Sequence, residues 1–475
     1  MLKQILINGG FKIGTQIISL LSTIFIARIL GASVIGEYNF AISLIVIFKV
    51  FIINSLASTN IYFINKNEND SITSQNTLVF VSYILFIVYA ILLTIYAYFN
   101  FYDQNINLFY VIISLLVAEL IGLKFITSRS YYNANLNQYK AAFPEFIRTL
   151  LTKTFQIITV FAFKDILGLA LSVFLATIFL LPILVRSYSP ILSFKFPTTF
   201  FLSNYLKKSL HFSTNTLTKL VPQQLDKIIL ETCVSFTFIG YYTIGQKIGN
   251  TIEMLTMSIG IVLFPFFTKL SQNLDTKKTI IIASNLMNIS FNIIFFFLFV
   301  TSFFAADILV FVFGDEYILS IFSMNIYILI GIVSILLMPF NNIGLGFGEL
   351  KKISRINIIS FIGFIFLALY ISQMDIEEIY IINLMSIIRL ISYLFLSVFF
   401  ITYCNKLLSF NFTKNLILLC VHILLFILFN YLIIIIKLNL VLLLLFYTFS
   451  YYLLNILFGE SPMITYRIIK MRLKK

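Results

Sequence analysis

Residues 77–99 read TLVFVSYILFIVYAILLTIYAYF and contain no charged side chain. As a helix rising about 1.5 Å per residue, this stretch covers the roughly 30 Å hydrocarbon core of a bilayer. Outward from it, similar apolar runs recur on both sides, at 4–27, 37–64, 107–127, 143–163, 166–186, 211–232, 237–267, 280–304, 318–341, 354–373, 379–402, 414–436 and 438–458. The spacing predicts an all-α polytopic membrane protein of about 14 transmembrane helices. A chain that is 60% apolar, with mean hydropathy +1.01, has too little polar surface to coat a soluble globule of 475 residues, which excludes a soluble enzyme.

The first run is interrupted by Lys12, lacks a short apolar block with a small-residue cleavage site, and reads as a retained helix and not a signal peptide. Lys and Arg then distribute by alternate loops. With both termini cytoplasmic, the cytoplasmic segments hold 21 of them and the outer loops only Arg28, Lys164 and Lys437. Cytoplasmic loops collect such charge, and one helix more or fewer would scramble the alternation. The net charge of +14 is thus a topological signal and gives no reason to expect nucleic-acid binding. The basic run from Arg467 to Lys475 can rest on anionic lipid headgroups. Cys233, Cys404, Cys420, His211 and His422 have no metal-ligand or disulfide spacing and are assigned to packing, so neither a metal nor a cofactor is expected.

The longest polar interval, 187–210, separates two groups of six helices. It sets the expected organisation: an N-lobe at 1–190, a cytoplasmic linker at 191–210, a C-lobe at 211–402, and an appended helix pair with a basic tail at 403–475. Ser33-Val34-Ile35-Gly36-Glu37-Tyr38 echoes Thr237-Phe238-Ile239-Gly240-Tyr241-Tyr242 at the corresponding place in the second group, as a parallel internal repeat requires.

Charges within the membrane cost about 2.5–3.5 kcal/mol each on insertion scales, so a helix with several must turn them to a wet cavity or to partners. Asn8, Lys12, Thr15, Gln16, Ser19, Ser22 and Thr23 form one stripe on helix one. Glu145, Arg148, Thr149, Thr152, Lys153, Gln156 and Thr159 form another on helix five, where snorkelling of the cations to the interface is the plainer alternative. Helix seven carries Asn215, Lys219, Gln223, Asp226 and Lys227, with Pro222 expected to break its backbone ladder. Helix eight carries Gln246, Lys247, Asn250 and Glu253 and ends near Pro265, while its Gly245 and Gly249 suit close helix packing. Pro222 and Pro265 are candidate gate positions. Lys12, Lys49, Lys124, Arg148, Lys153, Lys219, Lys227, Lys247 and Arg389 face only Glu119, Glu145, Asp226, Glu231 and Glu253, so the inferred cavity is wet, net positive and suited to anions.

Ala27-Arg28-Ile29-Leu30-Gly31 followed by Gly36-Glu37-Tyr38, Asp226-Lys227-Ile228-Ile229-Leu230 with Gly240-Tyr241-Tyr242, Phe264-Pro265, and Phe313-Gly314-Asp315-Glu316-Tyr317 occur in an order that resembles Wzx-type O-antigen and capsule flippases, of the multidrug/oligosaccharidyl-lipid/polysaccharide exporter superfamily. The resemblance runs over about 1–402. It implies two six-helix lobes in a V around a central cavity lined by helices one, two, seven and eight. It also implies transfer of undecaprenyl-diphosphate-linked oligosaccharide from the cytoplasmic to the outer leaflet of the bacterial inner membrane by alternating access. Partners implied with it are membrane lipids and, among proteins, a polysaccharide polymerase and chain-length proteins. On this reading Lys12, Arg28, Lys49, Lys153, Lys219, Lys227 and Lys247 are the substrate-binding cations, and Glu119, Asp226 and Glu253 are coupling groups or fixed counter-ions. By similarity to the lipid II flippases of that superfamily, which use arginines in the lumen, a groove near helices thirteen and fourteen would guide the tail.

Two rival readings remain open at this point. A cation-coupled multidrug exporter of the same superfamily would share the fold, but many of these place an acidic residue in helix one. Here no Asp or Glu lies between Met1 and Arg28. A membrane polysaccharide polymerase would need a large outer loop, and the outer loops are short.

Overall fold

The computed structural model describes residues 2–49, 53–66, 71–135, 137–188, 199–213, 221–250, 304–347 and 350–408. All regular structure among them is helical: α1 (Leu2–Phe48), α2 (Asn54–Lys66), α3 (Ser71–Phe101), α4 (Ile106–Ala134), α5 (Gln138–Phe163), α6 (Ile166–Tyr188), α7 (Thr199–Ser213), α8 (Pro222–Glu231), α9 (236–250), α10 (Phe304–Phe313), a 3₁₀ turn (Asp315–Ser320), α11 (Ile321–Gly346), α12 (Leu350–Ser372) and α13 (Glu378–Leu408). Seven of these are long and apolar enough to cross a membrane. Their outward faces suit lipid: Phe99 is 80% and Phe366 71% exposed, which water would not tolerate in a whole belt of such residues. The chain is a multi-pass membrane protein. The expected segments at 414–436 and 438–458 lie outside the described residues.

Local chemistry sets the helix ends. The Asn105 side chain accepts from the Leu108 amide at 3.1 Å and starts α4, and Asn137 does the same for Lys140 at 3.3 Å at the head of α5. α5 stops at Lys164, whose left-handed φ of 48° turns the chain while its amide still bonds the Val160 carbonyl. α1 departs from expectation. Instead of a loop between 27 and 37, the chain stays helical through 32–36 and breaks at a single residue, Gly31, with φ 75°, a conformation glycine adopts without steric cost. The span expected at 37–64 is divided between the end of α1 and α2.

By compactness the chain divides into two units, residues 1–247 with 312–320 and 354–388, and residues 248–311 with 321–353 and 389–475. In the first, a buried amide knot ties α2, α3 and α4. Asn60 Nδ2 donates to Gln75 Oε1 (2.7 Å) and Ser130 Oγ (2.8 Å), Ser74 Oγ donates to Asn60 Oδ1 (2.7 Å), and Gln75 Nε2 reaches the Thr127 carbonyl (3.1 Å). In an apolar surrounding each of these groups would be costly alone; together they fix the helix register. Helix α7 occupies much of the segment expected as linker. Its Tyr205 is fully buried, stacks on Phe63 and donates its hydroxyl to the Leu56 carbonyl at 2.8 Å, which anchors it on α2. Pro222 is the first residue of α8, a position where the missing N–H costs nothing; residues 214–220 before it lie outside the described residues. In the second unit, Gly249 of α9 meets the backbone of Tyr327 on α11, and Cys404 Sγ on α13 lies 3.6 Å from the Phe340 carbonyl.

Candidate functional site

Within the first unit, α1, α4, α5 and α6 line an open pocket of about 280 Å³. The α5 stripe supplies one wall: Glu145, Arg148, Thr149, Thr152, Lys153 and Gln156 all line it. Opposite stand Tyr38, Ile42, Ile45 and Val46 of α1, Lys49 just beyond it, Leu115 and Glu119 of α4, and Val173 of α6. The helical period that puts i, i+3, i+4 and i+7 on one face is what brings the α5 residues together.

The charges are arranged and not scattered. Glu119 bridges two cations, with Oε1 2.8 Å from Arg148 Nη2 and Oε2 3.2 Å from Lys49 Nζ. Glu145 is turned to Arg129. Lys153 Nζ donates to Gln156 Oε1 at 2.7 Å, and Gln156 Nε2 donates to the Tyr38 hydroxyl at 2.8 Å, so a neutral amide locked by a buried phenol aims the ammonium. Among the described residues no carboxylate lies within ion-pair distance of Lys153. One of the pocket's two excess positive charges therefore resides there, and the other is shared by Lys49 and Arg148 around Glu119. Gly122 on α4 makes room for the guanidinium of Arg148, which a Cβ would approach at 3.1 Å. Sequence reasoning did not single out Gly122, because a lone glycine in an apolar helix has no spacing to read.

The remaining candidates fall elsewhere. Lys247 Nζ donates to the Thr23 hydroxyl, joining α9 to the α1 stripe. Lys227 Nζ bonds the Gln223 carbonyl at 2.7 Å beside Asp226. Asp226 is wholly buried and accepts from Tyr242 (2.7 Å) and Gln246 (3.2 Å). Lys12, on the same α1 stripe, is half-buried and is not among the residues lining the pocket. Lys219, Glu253 and Pro265, and the side chain of Lys124, lie outside the described residues. Arg389 belongs to the second unit, buried over the Tyr393 ring.

Arg28 sits at a second, different feature of the same unit. There Gly36 of α1 and Gly240 of α9, the two glycines of the internal echo, lie against each other. A Cβ on Gly36 would overlap the Phe236 carbonyl oxygen and come 3.0 Å from the Gly240 nitrogen, and one on Gly240 would overlap the Ala32 carbonyl. Each of the two helices starts under a glutamate. The Ala32 amide donates to Glu316 Oε1 at 2.9 Å, and the Ser235 amide and hydroxyl donate to Glu378 Oε2 at 3.2 and 2.7 Å. Anionic caps suit the positive end of a helix dipole. Arg28 Nε donates to the Val312 carbonyl (2.9 Å) and the Tyr317 hydroxyl to that of Ala27 (3.1 Å), closing the crossing around Gly31.

Lipid-suited outer faces, a basic pocket and a glycine-mediated helix crossing together define a multi-pass helical membrane protein built around a charged site. Solved structures agree on the fold. A lipid II flippase, MurJ, in an inward closed conformation matches at TM-score 0.67 and 15% identity, covering 98% of this chain and 99% of that one. An outward-facing MATE-family multidrug resistance transporter of the MOP superfamily matches at 0.61 and 10% (86% and 96%), and an inward-facing one at 0.52 and 12% (85% and 95%). No curated protein matches the sequence significantly. The chain belongs to the polysaccharide biosynthesis protein family, whose profile matches residues 1–271.

Proposed function

We propose that this protein moves undecaprenyl-diphosphate-linked oligosaccharide repeat units, precursors of O-antigen or capsule, from the cytoplasmic to the outer leaflet of a bacterial inner membrane. The observation that carries the reading is the pocket in which Lys49, Arg148 and Lys153 converge beside Thr149, Thr152 and Gln156. Three cations and a hydroxyl-rich wall suit a compact anion attached to a sugar. At about 280 Å³ the pocket stands near the lower end of ligand cavities, roughly 300–1,000 Å³, so it fits a headgroup anion with its first sugar and not a whole repeat unit. Lysine serves here as a flexible point charge while Arg148 adds a planar fork for phosphate oxygens. Membership of a polysaccharide biosynthesis family and the fold shared with a lipid II flippase support this choice.

The full reading includes about 14 transmembrane helices with both termini cytoplasmic, two lobes at 1–190 and 211–402 joined by 191–210, and an appended pair at 403–475. Lys12, Arg28, Lys219, Lys227 and Lys247 join Lys49 and Lys153 as cations met by the headgroup during transit. Glu119, Asp226 and Glu253 act as counter-ions or coupling groups, and Pro222 and Pro265 mark the gate. A polysaccharide polymerase and chain-length proteins are the proposed protein partners.

The test is leaflet transfer of a lipid-diphosphate-linked oligosaccharide in proteoliposomes. Protein-dependent transfer that falls about tenfold or more in Lys49→Ala, a loss typical of removing a charge-assisted contact, is the expected result. A folded protein that transfers none of several glycans yet exports cationic dyes would replace the reading with a multidrug exporter.

A further inference from the structure

We propose that Glu119 is a built-in stand-in for the substrate's phosphate, holding Lys49 and Arg148 when the pocket is empty and promoting release of the anion that displaces it. The proposal deepens the flippase reading and rests on it.

The geometry points to this role in three ways. Among the described side chains of α4, Glu119 alone presents charge to the pocket, and a single carboxylate there serves two cations from different elements, Arg148 on α5 and Lys49 beyond α1. That is the job of an anion with several oxygens. Its distances differ: a close contact to the guanidinium at 2.8 Å and looser ones to the ammonium at 3.2 and 3.3 Å, so Lys49 is the side readily handed over. All three side chains line the pocket and stay partly accessible, 16% for Glu119 and Arg148 and 28% for Lys49, so an incoming anion reaches the pair without unfolding it.

Charge balance gives the exchange its purpose. With Glu145 paired to Arg129, the pocket holds Lys49, Arg148 and Lys153 against Glu119. The net charge of plus two matches a doubly substituted diphosphate, which carries two negative charges. A pocket without Glu119 would carry plus three and hold the anion too firmly for a transporter, whose site must bind and then let go. Lys153, aimed by Gln156 and facing no carboxylate among the described residues, makes the first contact. The phosphate then takes Lys49 from Glu119, and the carboxylate left beside it repels the ligand when the cavity reopens.

The experiment uses the full chain in nanodiscs, with undecaprenyl-diphosphate-glucose as probe and inorganic pyrophosphate as a separate arm. Glu119→Gln should bind the lipid at least about tenfold more tightly, since at an effective dielectric constant of about 20 one like charge is worth a factor of ten even at about 12 Å and more when nearer, while multiple-turnover transfer slows. Lys49→Gln should bind more weakly, and adding Glu119→Gln should restore binding to near wild type because the net charge returns to plus two. A carboxylate that only supports the fold would make the double variant worse than either single one. If Glu119→Gln binds no tighter while Lys49→Gln and Arg148→Gln weaken binding, the stand-in role is overturned and the flippase reading stands. If Glu119→Gln does not fold, the double variant decides alone: rescue supports the proposal and no rescue overturns it. If the wild type binds neither the lipid nor pyrophosphate, the flippase reading fails with it. Pyrophosphate binding that follows the same order without the lipid assigns recognition to the phosphates; binding of the lipid alone would overturn a phosphate-directed exchange.

Discussion

The glycine crossing and the basic pocket share α1: Gly36 belongs to the crossing, the pocket wall begins two residues on at Tyr38, and Lys49 follows just past the helix end, about 20 Å from Gly36 at ~1.5 Å per residue. They solve opposite problems. At the crossing, side chains are removed so that two backbones touch, and the few polar groups present are spent on helix ends: Glu316 on Ala32 and Glu378 on Ser235. At the pocket, long charged side chains are held apart by a shared carboxylate and an amide, leaving space between them. Close packing has no tolerance for added volume, whereas an ionic cage keeps its shape as long as its charges balance. The first region should therefore respond to substitution in stability and the second in transport.

Gly36→Ala is the sharpest way to break that contrast. A methyl group placed into the Phe236 carbonyl has no rotamer with which to escape, so the helices must separate. Overpacking of this kind typically costs about 1–3 kcal/mol and more where backbone is the obstacle. We expect a large loss of folded protein, read as melting temperature and yield in detergent, and a similar loss for Gly240→Ala. If instead Gly36→Ala is stable but transport-dead, the crossing is a working part of the cycle and not a fixed joint.

The two regions were unequally legible. The pocket's α5 wall was written as a stripe, Glu145 through Gln156, because helical spacing alone sets which side chains share a face. That Glu119 meets both Lys49 and Arg148 was not, since partners 70 and 29 residues away are chosen by tertiary packing. At the crossing the echo of Gly36 and Gly240 was visible, but only as evidence of duplication. That the two segments pack on each other depends on tertiary placement, which no local pattern records. Gly31 misled in a different way: Arg28-Ile29-Leu30-Gly31 read as a loop, whereas one residue at φ 75° makes the whole break and Glu316 caps the helix that follows. α7 falls largely within the polar interval 187–210 that marks the expected linker; Phe201 and Tyr205, one turn apart, are what fold it onto α2.

Glu316→Gln probes the border between the regions with a smaller effect. The amide keeps a hydrogen bond to the Ala32 nitrogen but loses the charge that favours the helix start. We expect a loss of about 0.5–1 kcal/mol in stability, the usual worth of such a charge, with substrate binding in the pocket unchanged. A Glu316→Gln variant that binds the headgroup differently would show that the crossing and the pocket are coupled.

Tyr38→Phe tests the contrast from within the pocket and should have the least effect on the fold. It removes the hydroxyl that fixes Gln156 and leaves the ring in place, so packing is kept while the aim of Lys153 loosens. Losing one neutral hydrogen bond costs about 0.5–1.5 kcal/mol. The informative quantity is where that cost appears. If Lys153 makes the first contact with the anion, Tyr38→Phe weakens binding a few-fold and Gln156→Leu weakens it further, because the latter also strips the ammonium of its partner. Should both variants melt early yet bind normally, the Tyr38–Gln156–Lys153 chain belongs with the crossing, as a joint between α1 and α5. The carboxylate-bridged pair of Lys49 and Arg148 would then be the whole of the binding cage.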